Sequence, residues 1–139
     1  MADMENFNEQ VIKEFRENEG EVGGMFEGAS VLLLHHAGAK TGTQRVSPLM
    51  YQQVGDSFAI FASKGGAPTN PDWYHNLAAH PDATIELGSG TVKVRARVAS
   101  PEERGPIWEK QKTLAPGFAG YETNAAPRQI PVILLDPVA

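Results

Sequence analysis

Lys40 and Arg45 stand five residues apart in the stretch HHAGAKTGTQRVSPL, residues 35–49, which contains no acidic side chain. Lys40, Thr41 and Gly42 can offer an ammonium, a hydroxyl and backbone N–H groups, and Arg45 adds a planar fork that matches phosphate. This is the chemistry of an oxyanion cradle, although the same composition also serves plain polar turns. A second stretch echoes it. In ASKGGAPTNPDWYHNL, residues 62–77, Gly65 and Gly66 let backbone approach a flat ligand, and the helix start that follows aims N–H groups outward. Two glycine-bearing, lysine-containing strand exits would suit a long phosphorylated cofactor.

Other chemistries fail on spacing. GAKTG lacks the Gly-Lys-Ser/Thr that opens the helix of a P-loop, since Ala39 precedes the lysine and Gly42 follows the threonine. Neither G-x-G-x-x-G nor G-x-S-x-G occurs, so a Rossmann dinucleotide site and a nucleophile elbow are unsupported. With no cysteine, thiolate nucleophiles, disulfides and iron–sulfur ligation are excluded. His35 and His36 are strand neighbours on opposite faces, and His75 and His80 lie five apart, so no metal site is expected.

The elements that must position these residues follow from periodicity and turn chemistry. Phe7, Val11, Ile12 and Phe15 share one side of a helical wheel opposite Glu9, Lys13, Arg16 and Glu17, which predicts an amphipathic helix over about 6–18, ended by Gly20, Gly23 and Gly24. Its apolar stripe suits core packing; it could also rest on a membrane surface, although the polar face is too acidic for anionic lipid. Strands are predicted at 31–36, 45–54, 57–63, 83–87, 91–99 and 130–135, with hairpin turns at Gly55-Asp56 and Gly88-Ser89-Gly90. Asn70 is placed to cap a helix beginning at Pro71 and stopping at His80-Pro81. Ser100, Pro101 and Glu103 read as a capping box opening a helix to about Leu114, with irregular first turns at Gly105 and Pro106. A mainly β (α+β) chain of antiparallel strands with peripheral helices suggests a small barrel, which removes exposed edges.

At 139 residues the chain is the usual size of one domain, 1–139. Eight of its 17 acids fall within the first 27 residues against Lys13 and Arg16, which leaves the remainder close to neutral. Lys93, Arg95 and Arg97 alternate with Val92, Val94, Ala96 and Val98 and read as the solvated face of a strand, so nucleic acid is not an expected partner. No apolar run is long enough to span a membrane and no basic leader is present, which suggests a cytoplasmic setting, with peripheral contact at the inner membrane face the one variant of interest.

Taken in order, GAKTGTQRVSPL, ASKGGAPTNPDWYHNL and RQIPVILLDP make the chain resemble the deazaflavin-dependent nitroreductase family, split-barrel oxidoreductases that use coenzyme F420, from about Asn6 to Pro137. The resemblance implies a six-stranded antiparallel split β-barrel, FMN-binding-like, with the deazaflavin in a groove. By match to the family's motif, Lys40, Thr41, Gly42 and Arg45 would grip its phosphate, and Pro48 and Leu49 would line its path. Ala62, Ser63, Lys64 and Gly65 would lie beside the ring system, and Asp72, Trp73 and Asn76 on the helix that closes over it.

A reduced deazaflavin delivers a hydride, so the protein must hold an electron-poor carbon over the ring and relay a proton. The resemblance assigns these tasks to Ser63, as a hydrogen-bond donor to a substrate carbonyl or nitro oxygen, and to Tyr121, as the proton donor. Activated alkenes, quinones and nitro compounds would qualify as acceptors. In LAPGFAGYETNAAPRQIP, Ala115 and Phe118 replace tyrosines of the nitroimidazole-activating member, which weighs against that reaction. A pocket of Met25, Trp108, Phe118 and Tyr121 would favour a flat apolar substrate. The alternatives are an FMN-binding split-barrel oxidoreductase and a non-catalytic F420 carrier, as monomer or homodimer.

Overall fold

The computed structural model describes residues 2–20, 30–67, 69–88 and 90–138, and of residues 2–8 the backbone alone. Helix α1 spans Ala2–Glu17 and so starts earlier than residue 6; Ala2, Met4 and Glu5 are good helix formers and extend it. Val11 and Phe15 are buried against Val31 and Leu33. The described part of the apolar stripe is thus used on the sheet, the core packing that its periodicity suited. The side chain of Phe7, and Gly23, Gly24 and Ser89, lie outside the described residues.

Seven strands follow: β1 Val31–Ala37, β2 Gln44–Met50, β3 Gln52–Val54, β4 Ser57–Phe61, β5 Asp82–Leu87, β6 Gly90–Val98 and β7 Val132–Pro137. They form one antiparallel sheet in the order β2-β1-β5-β6-β7-β4-β3. Six strands were expected, and the difference lies in the single run predicted at 45–54. It divides at Tyr51, whose N–H donates to Ser30 O at 3.0 Å. β2 pairs with β1, while β3 turns through Gly55-Asp56 onto β4. The two edge strands of the sheet are thus consecutive in the chain and joined through one residue, so the sheet must curl into an open barrel.

Strand alternation sends Leu32 and Leu34 of β1 to the inner face, with Phe58, Ile60, Ile85, Val94 and Leu135. Helix α2, Asp72–Ala79, contributes Trp73 and Leu77 to this core. On the other face of β4 and β7, Ala59, Phe61, Val132 and Leu134 meet Ile107 and Trp108 of helix α3, Pro101–Leu114, and Phe118 and Ala125 of helix α4, Gly117–Ala125. Each fully buried Leu, Ile or Phe is worth about 1.5–3 kcal/mol, which makes these two layers the main source of stability.

Local departures have local causes. Pro71, not Asn70, occupies the cap position of α2, because the Asn70 side chain accepts a charged hydrogen bond from Arg128 instead. The Ser100 capping box forms as expected, with Glu103 N–H donating to Ser100 Oγ at 3.2 Å and Ser100 N–H to Glu103 Oε1 at 3.0 Å. α3 then continues without a break through Gly105 and Pro106. β7 starts two residues later than the predicted strand, since Ile130 O accepts from Arg104 and Pro131 O from the Ala62 N–H. α4 was not predicted; Gly117 and Gly120 make its intrinsic propensity poor, and packing against Phe61 and Gly66 supplies what propensity lacks.

Candidate functional site

The two glycine-bearing stretches sit at the exits of β1 and β4. After β1, residues 38–43 form a tight hairpin loop closed by Gly38 N–H to Thr43 O at 2.9 Å and Gly42 N–H to Gly38 O at 2.8 Å. Gly42 takes φ +71° with open space around its Cα, a conformation that disfavours any side chain. Thr41 Oγ1 donates to Thr43 Oγ1 at 2.9 Å, which stiffens the tip. Lys40, Thr41, Gly42 and Arg45 are all exposed. Among the described residues neither the Lys40 nor the Arg45 side chain has a hydrogen-bond or ion-pair partner, so two cations face solvent, one from the pinned loop and one from the start of β2.

The pin is a buried polar relay. Ala39 N–H donates to Asn76 Oδ1 at 2.9 Å, which leaves Asn76 Nδ2 to donate to His36 Nδ1 at 2.9 Å. His36 must then carry its proton on Nε2, which donates to Ser47 Oγ at 2.9 Å. Burial first, and then the nearby Arg45 charge, push the His36 imidazole down to about 4, so it is neutral at physiological pH. Asn76 is therefore spent inside the protein, tying α2 to the loop that carries Lys40. Trp73 likewise points into the barrel core. Asp72 is exposed at the first turn of α2, Pro48 is buried, and Leu49 packs half-buried against the same core.

After β4 the chain runs through Ala62 and Ser63 into a single 3-10 turn, Lys64–Gly66. Lys64 holds φ +49°, a left-handed conformation that costs a non-glycine residue on the order of 1 kcal/mol. The segment is held by Arg128. Its Nε donates to Ala67 O at 3.2 Å, Nη1 to Ala62 O at 3.0 Å and Asn70 Oδ1 at 2.6 Å, and Nη2 to Ser63 O at 3.1 Å and Ala67 O at 2.7 Å.

α4 lies directly on this turn. A Cβ added at Gly66 would meet Asn124 Cβ at 3.0 Å and Tyr121 Cα at 3.1 Å, so only glycine lets the helix sit so close. The half-buried Tyr121 caps an aromatic stack, 5.1 Å from Phe118 between ring centroids, and Phe118 in turn is 5.6 Å from Phe61 and 6.0 Å from Trp108. Ser63 and Tyr121 therefore belong to one locality. Trp108, whose indole donates to Glu122 Oε2 at 2.5 Å, and Phe118 are core residues of the layer beneath. Met25 lies outside the described residues.

Sequence reasoning missed Arg128, His36 and Ser47 as site residues. His36 shares the period-2 face of Leu32 and Leu34, and that signal alone would have turned it inward. Arg128 carries no comparable local signal. Arg16, on the polar face of α1, is engaged within the protein: its Nε and Nη2 donate to Glu86 Oε1 and Oε2 at 3.1 and 2.7 Å, and His35 Nε2 meets the same carboxylate. The clefts among the described residues include one of about 380 Å³ between His35, Gln44, Thr84 and Lys93 and one of about 310 Å³ beside Arg16 and Glu86, and neither is lined by Lys40, Arg45, Ser63 or Tyr121. No group of histidines or carboxylates suited to a metal ion occurs among the described residues, and no helix there is long and apolar enough to cross a membrane.

Comparison with known proteins converges on one chemistry. The family model described as F420H(2)-dependent quinone reductase matches residues 8–137. An F420H(2)-dependent quinone reductase of Mycobacterium tuberculosis is 38% identical over 125 residues, 87% of this chain and 83% of that protein. A solved structure described as an F420-H2 dependent reductase superposes with a TM-score of 0.70 at 34% identity, over 76% of this chain and 93% of its own. A second, described as a domain-swapped dimer, gives 0.70 at 30% identity over 92% and 95%. The haem storage protein HutZ of Vibrio cholerae, at 14% identity and a TM-score of 0.61 over 94% of this chain and 90% of its own, shares the fold alone.

Proposed function

The chain belongs to the F420H(2)-dependent quinone reductase family, and from that premise we propose that it reduces a quinone-type acceptor with coenzyme F420. The residues present fit that cofactor. Lys40 and Arg45 are exposed cations without a carboxylate partner among the described residues, one on a loop whose backbone is fixed from beneath and the other on the strand that leaves it. That is the donor set a phosphodiester requires, and it is the observation that carries the reading.

When bound, reduced F420 supplies a hydride rather than single electrons. The chain supplies position and protons. Lys40, Thr41, Gly42 and Arg45 grip the phosphate, and Ala62 to Gly65 back the ring. Pro48 and Leu49 of β2, with α2 behind the loop, shape the wall between them. Ser63 orients the acceptor oxygen by hydrogen bond, and Tyr121 donates the proton to the oxygen on which charge develops. Phe118 and Trp108 act through Tyr121, as the packed layer that fixes its ring. A quinone or enone suits this arrangement better than a nitroimidazole, since the phenol of Tyr121 is the one aromatic hydroxyl that segment 115–125 carries. The likeness to a domain-swapped dimer supports a homodimer as the working assembly, which sedimentation equilibrium decides.

Titration of the protein with oxidised F420 and, in parallel, FMN tests the cofactor through quenching of Trp73 and Trp108 fluorescence. Saturable binding of the deazaflavin but not FMN is expected. Arg45→Ala should weaken F420 binding by about 1.5–3 kcal/mol, the range for a charged hydrogen bond; unchanged affinity would return residues 38–45 to an ordinary hairpin.

A further inference from the structure

We infer that Arg128 is a positioning residue for the hydride-transfer seat, acting through the backbone of residues 62–70; the inference rests on the function proposed above. A guanidinium has five N–H donors in a rigid planar fork. All five of Arg128 are used, and every acceptor belongs to this one segment: the carbonyls of Ala62, Ser63 and Ala67 and the side chain of Asn70. No carboxylate among the described residues forms a salt bridge with it. A cation that gains only carbonyl partners serves as a template around which the chain is wrapped.

The wrapping has a directional consequence. Across a trans peptide the N–H points opposite to the preceding C=O. Turning Ala62 O and Ser63 O onto the guanidinium therefore turns the N–H groups of Ser63 and Lys64 away from it, out of the crown. Carbonyls drawn inward also hold Lys64 in its left-handed conformation, which the 3-10 turn would otherwise relax. Arg128 thus sets both the direction of two backbone donors and the backbone from which Ser63 projects. Lysine, with three donors on a point charge, can satisfy only part of that set.

The test uses the full chain with Arg128→Lys, and Arg128→Ala as second variant. Without cofactor, the Gly66 and Ala67 amides, which donate to Ser63 O and Lys64 O, should exchange hydrogen about tenfold faster in R128K as the turn loosens. With F420H2 and a water-soluble quinone, kcat should fall ~30-fold or more while the Kd for F420, set at Lys40 and Arg45, moves less than ~3-fold. Millimolar guanidinium should restore part of kcat to R128A and none to R45A. Unchanged exchange in R128K would overturn the template role. Faster exchange with unchanged kcat would overturn the positioning role and leave the cofactor assignment standing. Absence of F420 binding by the unsubstituted chain would instead overturn the function on which the role rests, whatever the exchange data show.

Discussion

His36 and Tyr121 illustrate how single side chains carry different parts of the design. The His36 imidazole is used as a neutral group with its proton on Nε2, so a second proton at Nδ1 would break the bond from Asn76. Its folded value, about 4, lies below the ordinary 6.5, so the unfolded chain takes up the proton first as pH falls. Its contribution to stability is present in full above about pH 6.5 and is lost progressively toward pH 4. His36→Gln should flatten that acid limb in urea titrations repeated between pH 7 and 4; an identical limb in both proteins would remove His36 from the account. Tyr121→Phe keeps the ring on Phe118 and removes the phenol proposed as proton donor. Turnover of F420H2 should fall ~10²-fold with cofactor affinity nearly unchanged.

Among the elements, α1 and α4 are both placed by glycine contacts rather than by their own propensity. Residues 17–20 at the end of α1 press on the β5–β6 turn: a Cβ at Gly88 would sit 2.0 Å from Glu19 O, which no adjustment of a side chain can relieve. Arg16 and Glu86 bridge the same two elements, and the hydrogen bonds from Arg16 hold the Glu86 carboxyl below its ordinary range. The glycine contact should dominate, because the ion pair is half exposed at Arg16 and such pairs are worth about 0–1 kcal/mol. Gly88→Ala should therefore cost about 2–3 kcal/mol in chemical denaturation, and Arg16→Ala clearly less. Equal effects would mean that the latch is electrostatic.

At the scale of the whole molecule, barrel closure hangs on the β2–Tyr51–β3 connection. Tyr51 packs edge-on against Phe58 at 5.7 Å, and its backbone carries the chain from one edge of the sheet to the other. Tyr51→Ala should cost about 2 kcal/mol and speed amide exchange in β2 and β3 together. A response confined to β3 would show that the edges are not coupled. Closure also sets the exits of β1 and β4, and with them Lys40 and Ser63, on one scaffold, as the proposed function requires.

The sequence by itself determined what depends on near neighbours. Period-2 alternation gave the strands, Gly55-Asp56 a hairpin, and Ser100 to Glu103 a helix start; each rests on residues within a turn or a ladder of one another. Tertiary structure decided the rest. Asn76 was legible as a helix residue near the site, but its partners lie 37 and 40 residues away. Arg128 reaches Ala62 across 66 residues, and α4 exists on contacts with Gly66 and Phe61 that its own glycines do not foretell. Such hydrogen bonds and close approaches gain free energy only after distant strands have brought their partners together, so no local pattern in the chain has to announce them.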